Sequence, residues 1–73
     1  MDKLMEILRS VRSDVDFFHE KSLIDDGILD SFNTMEIVSK IEDEFGVEID
    51  SDDLVAENFN SVEAINKLIE RLK

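Results

Sequence analysis

Proline is absent from the chain and glycine occurs only at Gly27 and Gly46, so little in the sequence interrupts a helix. On both sides of those two breaks, and between them, the apolar residues recur at helical spacing. Met1, Leu4, Leu8, Val11 and Val15, with Ile7 on the flank, form a stripe that predicts a first helix over about residues 2–14. A second stripe, Val62, Ile65, Leu68, Ile69 and Leu72, predicts a last helix opened by Asn60 or Ser61 as N-cap, with Glu63 in its first turn. The middle helix runs from Asp30 to Phe45 and stops at Gly46, the residue best suited to a left-handed C-cap. Only a short helix fits between Gly46 and Asn60, and Ser51–Val55 is its expected place. Residues 16–29 hold no sustained period, and Phe17, Phe18, Leu23 and Leu29 are the candidates to pin that stretch to the core. Val47 and Ile49 alternate, but two residues do not make a sheet. The expected fold is all-α: a small four-helix bundle of three longer helices and a short third one, with a long loop between helices one and two.

In 73 residues this amounts to one domain, residues 1–73, whose core rarely supplies more than about 3–5 kcal/mol of net stability. Repulsion among surface charges therefore matters. The net charge is −11, and all of it lies between Asp25 and Glu57, where twelve acids face one base, Lys40. The rest of the chain balances seven acids with seven bases. Nucleic acid and anionic lipid need a basic surface, so both are excluded as natural partners. Basic protein partners or divalent cations suit the segment better. The tight acidic group Glu48, Asp50, Asp52 and Asp53 is the place for weak surface association of Ca²⁺ or Mg²⁺. It is not an EF-hand: counted from Asp50, position six is Val55 where glycine is needed and position twelve is Ser61 where a bidentate glutamate belongs.

The middle helix carries two faces. With Ser31 at zero and about 100° per residue, Thr34, Ile37, Val38, Ile41 and Phe45 fall on one arc, the expected core face. A second arc holds Ser31, Phe32, Met35, Glu36, Ser39, Glu42 and Asp43. Two large apolar side chains among carboxylates fit a partner-facing surface with an apolar centre and a charged rim. They equally fit a cover for the long loop beside a solvated acidic face. Ser31 has two readings of its own. Asp30 is a good N-cap and serine is common in a first turn, which makes an ordinary helix start. A helix N-terminus also offers unpaired N–H groups and the positive end of the helix dipole, which suits an attached phosphate.

Other chemistry is poorly served. There is no cysteine, hence no disulfide and no thiolate metal site, and His19 is the sole histidine. No nucleophile elbow surrounds any serine, and so short a chain has little room for a closed substrate pocket. Self-contained catalysis is not expected. The opening residues, MDKLMEILRSVRSD, alternate charged and apolar positions and lack the continuous apolar run of a signal peptide or membrane span, so a soluble cytoplasmic monomer is the expectation.

The order GILDSFNTMEIVSKIEDEFGVEI followed by NFNSVEAI resembles the acyl carrier protein family from Leu23 to Ile65. The resemblance centres on the signature Asp30-Ser31-Phe32, supported by Glu36, the helix end at Glu42–Val47 and the helix start at Val62-Ala64-Ile65. It implies that Ser31 carries a 4′-phosphopantetheine arm through a phosphodiester, added by a separate phosphopantetheinyl transferase. The arm's thiol would then hold an acyl or aminoacyl group as a thioester for presentation to loading and transfer enzymes. It further implies a non-catalytic, free-standing carrier whose second helix meets basic patches on those enzymes, with Met35, Glu36, Ser39, Glu42 and Asp43 as partner-binding positions. Asn33 departs from the fatty-acid-synthesis members, which usually have an acid there. Gly27-Ile28-Leu29 and Phe32 are similar to D-alanyl carrier proteins and other discrete carriers. The alternative is an unmodified acidic helical adaptor that binds a basic partner through Phe32 and Met35.

Overall fold

The computed structural model describes residues 2–73. Its elements in chain order are α1 (Asp2–Val11), α2 (Ser31–Phe45), a 3-10 turn (Ser51–Asp53), α3 (Ala56–Phe59) and α4 (Val62–Leu72), with no strand among the described residues. The architecture is the expected small helical bundle. Helix α1 packs on α2 and α4, and α3 packs on α4. Met1, placed on the first stripe by its spacing, lies outside the described residues.

Each long helix buries the centre of the stripe that its spacing predicted, while Val11, Thr34, Phe45 and Leu72, and Val15 beyond the end of α1, are only partly buried. Leu4, Ile7 and Leu8 of α1, Ile37, Val38 and Ile41 of α2, and Val62, Ile65, Leu68 and Ile69 of α4 are buried in one cluster. Burying each such side chain contributes about 1.5–3 kcal/mol relative to leaving it in water. Met5 and Val47, which no stripe had claimed, join the cluster, while Ile49 packs against its edge. No polar or charged residue among those described is buried in it.

Local signals set the ends of α2 and α4. Gly46 takes a left-handed conformation at φ 65° and ψ 33°, and its N–H donates to the Glu42 carbonyl at 3.0 Å. A side chain there would add the strain that the left-handed region imposes on L-residues. Of the two candidates for the last N-cap, Ser61 takes the role: its Oγ accepts the Ala64 N–H at 3.1 Å.

Three expectations need correction. Helix α1 ends at Val11, not near residue 14. Just beyond it the Arg12 guanidinium grips Asp14 through two bonds of 2.9 Å and donates to the Ile28 carbonyl at 2.8 Å, turning the chain into the loop. The short helix is not Ser51–Val55. That stretch holds one 3-10 turn, closed by Asp53 N–H to the Asp50 carbonyl at 2.9 Å, after which Val55 is extended. The α-helical turn comes at Ala56–Phe59, because burial of Phe59 fixes its register and leaves Leu54 and Val55 on the surface. Finally, Phe17, Leu23 and Leu29 anchor the long loop in the core, but Phe18 does not. It is 60% exposed, with the Arg9 guanidinium 5.9 Å from its ring centroid.

Candidate functional site

Ser31 is the first residue of α2 and is exposed. The helix start is fixed without it. The Asp30 Oδ1 accepts the Asn33 N–H at 2.7 Å, and the Asn33 Oδ1 accepts the Asp30 N–H at 3.4 Å, which is a reciprocal capping box. Thr34 adds its hydroxyl to the Asp30 carbonyl at 2.9 Å. None of these bonds uses the Ser31 hydroxyl. Asn33, the position that departs from the fatty-acid carriers, is thus a working half of the cap. The first turn of α2 contains no acid, so the positive end of a 15-residue helix has no carboxylate inside that turn to offset it.

Ser31 also borders a groove of about 260 Å³. Thr34 and Met35 of α2 form one side, Leu54, Val55, Ala56 and Phe59 the opposite side, and Ile24 of the long loop closes it. Apart from the two hydroxyls, the lining is apolar. Phe32, next in the chain, is 78% exposed and Met35 is 52% exposed, so the two side chains do not serve as a cover for the loop. With Leu54 and Val55 they make up four of the five large apolar residues that stand exposed among those described. Such a concentration around one serine is a local patch rather than scattered surface apolarity.

The remaining predicted positions separate. Glu36 and Ser39 are exposed on the outer arc of α2. Asp43 is exposed too, but it lines the cleft between α1 and α2, where three acids (Glu6, Asp43 and Glu44) meet two lysines (Lys3 and Lys40). Lys40 itself reaches Ser10 of α1, Nζ to Oγ at 3.1 Å, which takes the segment's one base to the α1 side of the helix. Glu42 is half-buried, and its Oε2 accepts the Ile49 N–H at 2.9 Å, holding down the strand-like stretch after Gly46. Its carboxylate is engaged inside the molecule.

In the acidic turn, Asp53 Oδ2 accepts the Asp50 N–H at 3.3 Å. Among the described residues no three carboxylate or imidazole groups converge to hold a metal ion. No described helix is long and apolar enough to cross a membrane.

Sequence reasoning did not identify the groove's far wall. Leu54 and Val55 gave a signal, an adjacent apolar pair that fits no helical stripe, but its meaning depends on where α3 docks. Asn60 was also read only as an alternative N-cap, although its side chain binds the long loop.

Comparison with protein-family models matches residues 2–69 to the phosphopantetheine attachment site family. No curated protein and no solved structure matches the chain.

Proposed function

Since the chain belongs to the phosphopantetheine attachment site family, whose members are non-catalytic carriers of covalent 4′-phosphopantetheine, we propose that Ser31 is the residue that bears the arm. The observation that carries this reading is the free hydroxyl of an exposed serine at a helix start that is already capped by Asp30 and Asn33. Attachment replaces the Ser31 hydroxyl proton with the phosphoryl group of the arm, the donor's remaining phosphate and the proton leaving. The charge of the resulting phosphodiester would lie at the N-terminal end of α2, beside the Asp30 carboxylate that caps it. When bound, the arm supplies a thiol that holds cargo as a thioester, and the protein supplies attachment and recognition.

Residues 1–73 act as a single carrier domain in this reading, handed between a phosphopantetheinyl transferase and cytoplasmic enzymes that load and unload an acyl or aminoacyl group. The similarity of Gly27-Ile28-Leu29 and Phe32 to D-alanyl and other discrete carriers favours a specialised cargo over bulk fatty-acid synthesis. Partners meet the apolar centre formed by Phe32 and Met35 and pair basic groups with Glu36 at its rim. Asp43 contributes less, since it lines the cleft against α1 and not the groove at Ser31. Divalent ions associate with Glu48, Asp50, Asp52 and Asp53 by charge density alone. Millimolar Mg²⁺ should therefore raise the melting temperature more than NaCl at the same ionic strength, and equal responses would show general screening without association at this turn.

Intact mass after co-expression with a phosphopantetheinyl transferase tests the central assignment. The wild type should gain the mass of one arm. Ser31→Ala should gain none while keeping its melting temperature, because the cap on α2 remains. An arm on Ser22 or Ser61, or an unmodified wild type acting only as an acidic adaptor, would overturn the assignment.

A further inference from the structure

We propose that Asn60 is a positioning residue that holds the wall of the groove facing Ser31 and thereby sets how a transferase engages the site. The proposal rests on the reading of Ser31 as the arm-bearing residue. Asn60 lies between Phe59, which lines the groove, and Ser61, which caps α4. Its side-chain Oδ1 accepts two backbone N–H groups of the long loop, from Ile24 at 2.9 Å and Asp25 at 3.0 Å. Its Nδ2 donates to the Asp25 carboxylate at 3.1 Å, and its own carbonyl accepts the Leu23 N–H at 2.9 Å. One residue thus ties three consecutive loop residues, 35 or more positions away in sequence, to the junction of α3 and α4.

The consequence for the site is geometric. Ile24 closes the groove from the loop side, and Ala56 and Phe59 line it from the α3 side. The two walls belong to distant parts of the chain, and Asn60 is bonded to one while being continuous with the other. The same bonds lead on toward the serine. The Leu23 carbonyl, on the residue Asn60 fixes, accepts the Leu29 N–H at 2.9 Å, and Leu29 immediately precedes the Asp30 cap. Leu23 and Leu29 are both buried, so the path between Asn60 and the start of α2 is packed as well as hydrogen-bonded. A side chain that supports the residues around a functional group controls its geometry without touching it.

The chemistry at position 60 is specific. The loop amides need an acceptor and the Asp25 carboxylate needs a donor, and a primary amide supplies both. Aspartate would satisfy the amides but set two carboxylates against each other. Asparagine at position 25 would then restore the donor from the other side.

The test uses the full chain with a phosphopantetheinyl transferase, measuring kcat and KM of arm loading and, in parallel, amide hydrogen exchange. Asn60→Ala should speed exchange at Ile24 and Asp25 by about tenfold or more while the Ile41 amide stays protected. Its loading KM should rise about 3- to 10-fold, the equivalent of one or two net hydrogen bonds, with kcat within about twofold. Asn60→Asp should be at least as impaired at neutral pH, and adding Asp25→Asn should bring both exchange and KM back toward wild type. The double variant keeps the proposal testable if Asn60→Ala fails to fold. Faster exchange with an unchanged KM would overturn the proposal by showing a purely structural clip, as would Asn60→Asp that is not rescued. Loading of the wild type is a separate control: its absence would refute the assignment of Ser31, and the exchange data would still decide whether Asn60 holds the wall.

Discussion

The two halves of α2 carry similar residues and use them differently. In the first half, Ser31, Phe32, Met35 and Glu36 stand exposed around an apolar groove, and the bonds that fix the helix start run through their neighbours. In the second half two of the three acids are engaged within the molecule. Glu42 holds the Ile49 amide and Glu44 pairs with Lys3 at 3.2 Å, while Asp43 is exposed and lines the cleft against α1. A run of negative charge in sequence is therefore not one uniform surface. The half whose local structure is satisfied without its exposed side chains is the half that the proposed function assigns to partners.

Among changes to the acids of α2, removing the Glu42 carboxylate should have the largest effect on stability and a minor one on recognition. Glu42→Ala leaves the Ile49 N–H without its partner, at a cost of about 1–3 kcal/mol, so thermal melting should move down by roughly 5–15 °C. Loading by the transferase, measured well below that temperature, should change by no more than about twofold. An unshifted melting curve with slowed loading would reverse the roles assigned to the two halves.

Charge reversal sharpens the contrast from the other side. Glu36→Lys should slow loading by about tenfold at low salt, since an exposed rim charge acts on the encounter rate. Asp43→Lys should slow it by only about threefold, because that carboxylate lines the cleft against α1 and not the groove at Ser31. Both effects should shrink toward physiological salt, where the screening length is about 8 Å. Equal sensitivity at the two positions would mean that partners read the whole acidic helix.

The smallest effect concerns how the loop enters α2. Arg12 reaches the Ile28 carbonyl while held by Asp14, and that hydrogen-bonded guanidinium lowers the Asp14 carboxyl from its ordinary 3.8 to about 2. A lowered carboxyl contributes stability that is fully present above the ordinary value and is lost as pH falls through about 2. Titration followed by NMR should place the Asp14 midpoint near 2, and Arg12→Gln should move it up toward 3.8. Between those two pH values the Ile28 and Leu29 amide signals should shift in the wild type and stay still in the variant. Coincident titrations would show that Arg12 does not anchor this end of the loop.

How much of this was legible in the sequence depends on the range of the forces involved. The stripes of α1, α2 and α4, the Asp30 cap and the Gly46 stop rest on contacts within one or two helical turns, so they were legible from spacing, while the choice of Ser61 over Asn60 as the last cap was not. Spacing alone made Ser31 an ordinary helix start, and the carrier reading came from the resemblance of Asp30-Ser31-Phe32 and its flanking residues to a known family. The early end of α1 needed Arg12 to find Ile28 sixteen residues away, and the register of α3 needed Phe59 to reach the core. The exposure of Phe32 and Met35, the inward turn of Glu42 and the Asn60 clip were likewise decided only in three dimensions. Each depends on which distant backbone amide, carbonyl or apolar surface arrives opposite a side chain, and local periodicity holds no record of that arrival.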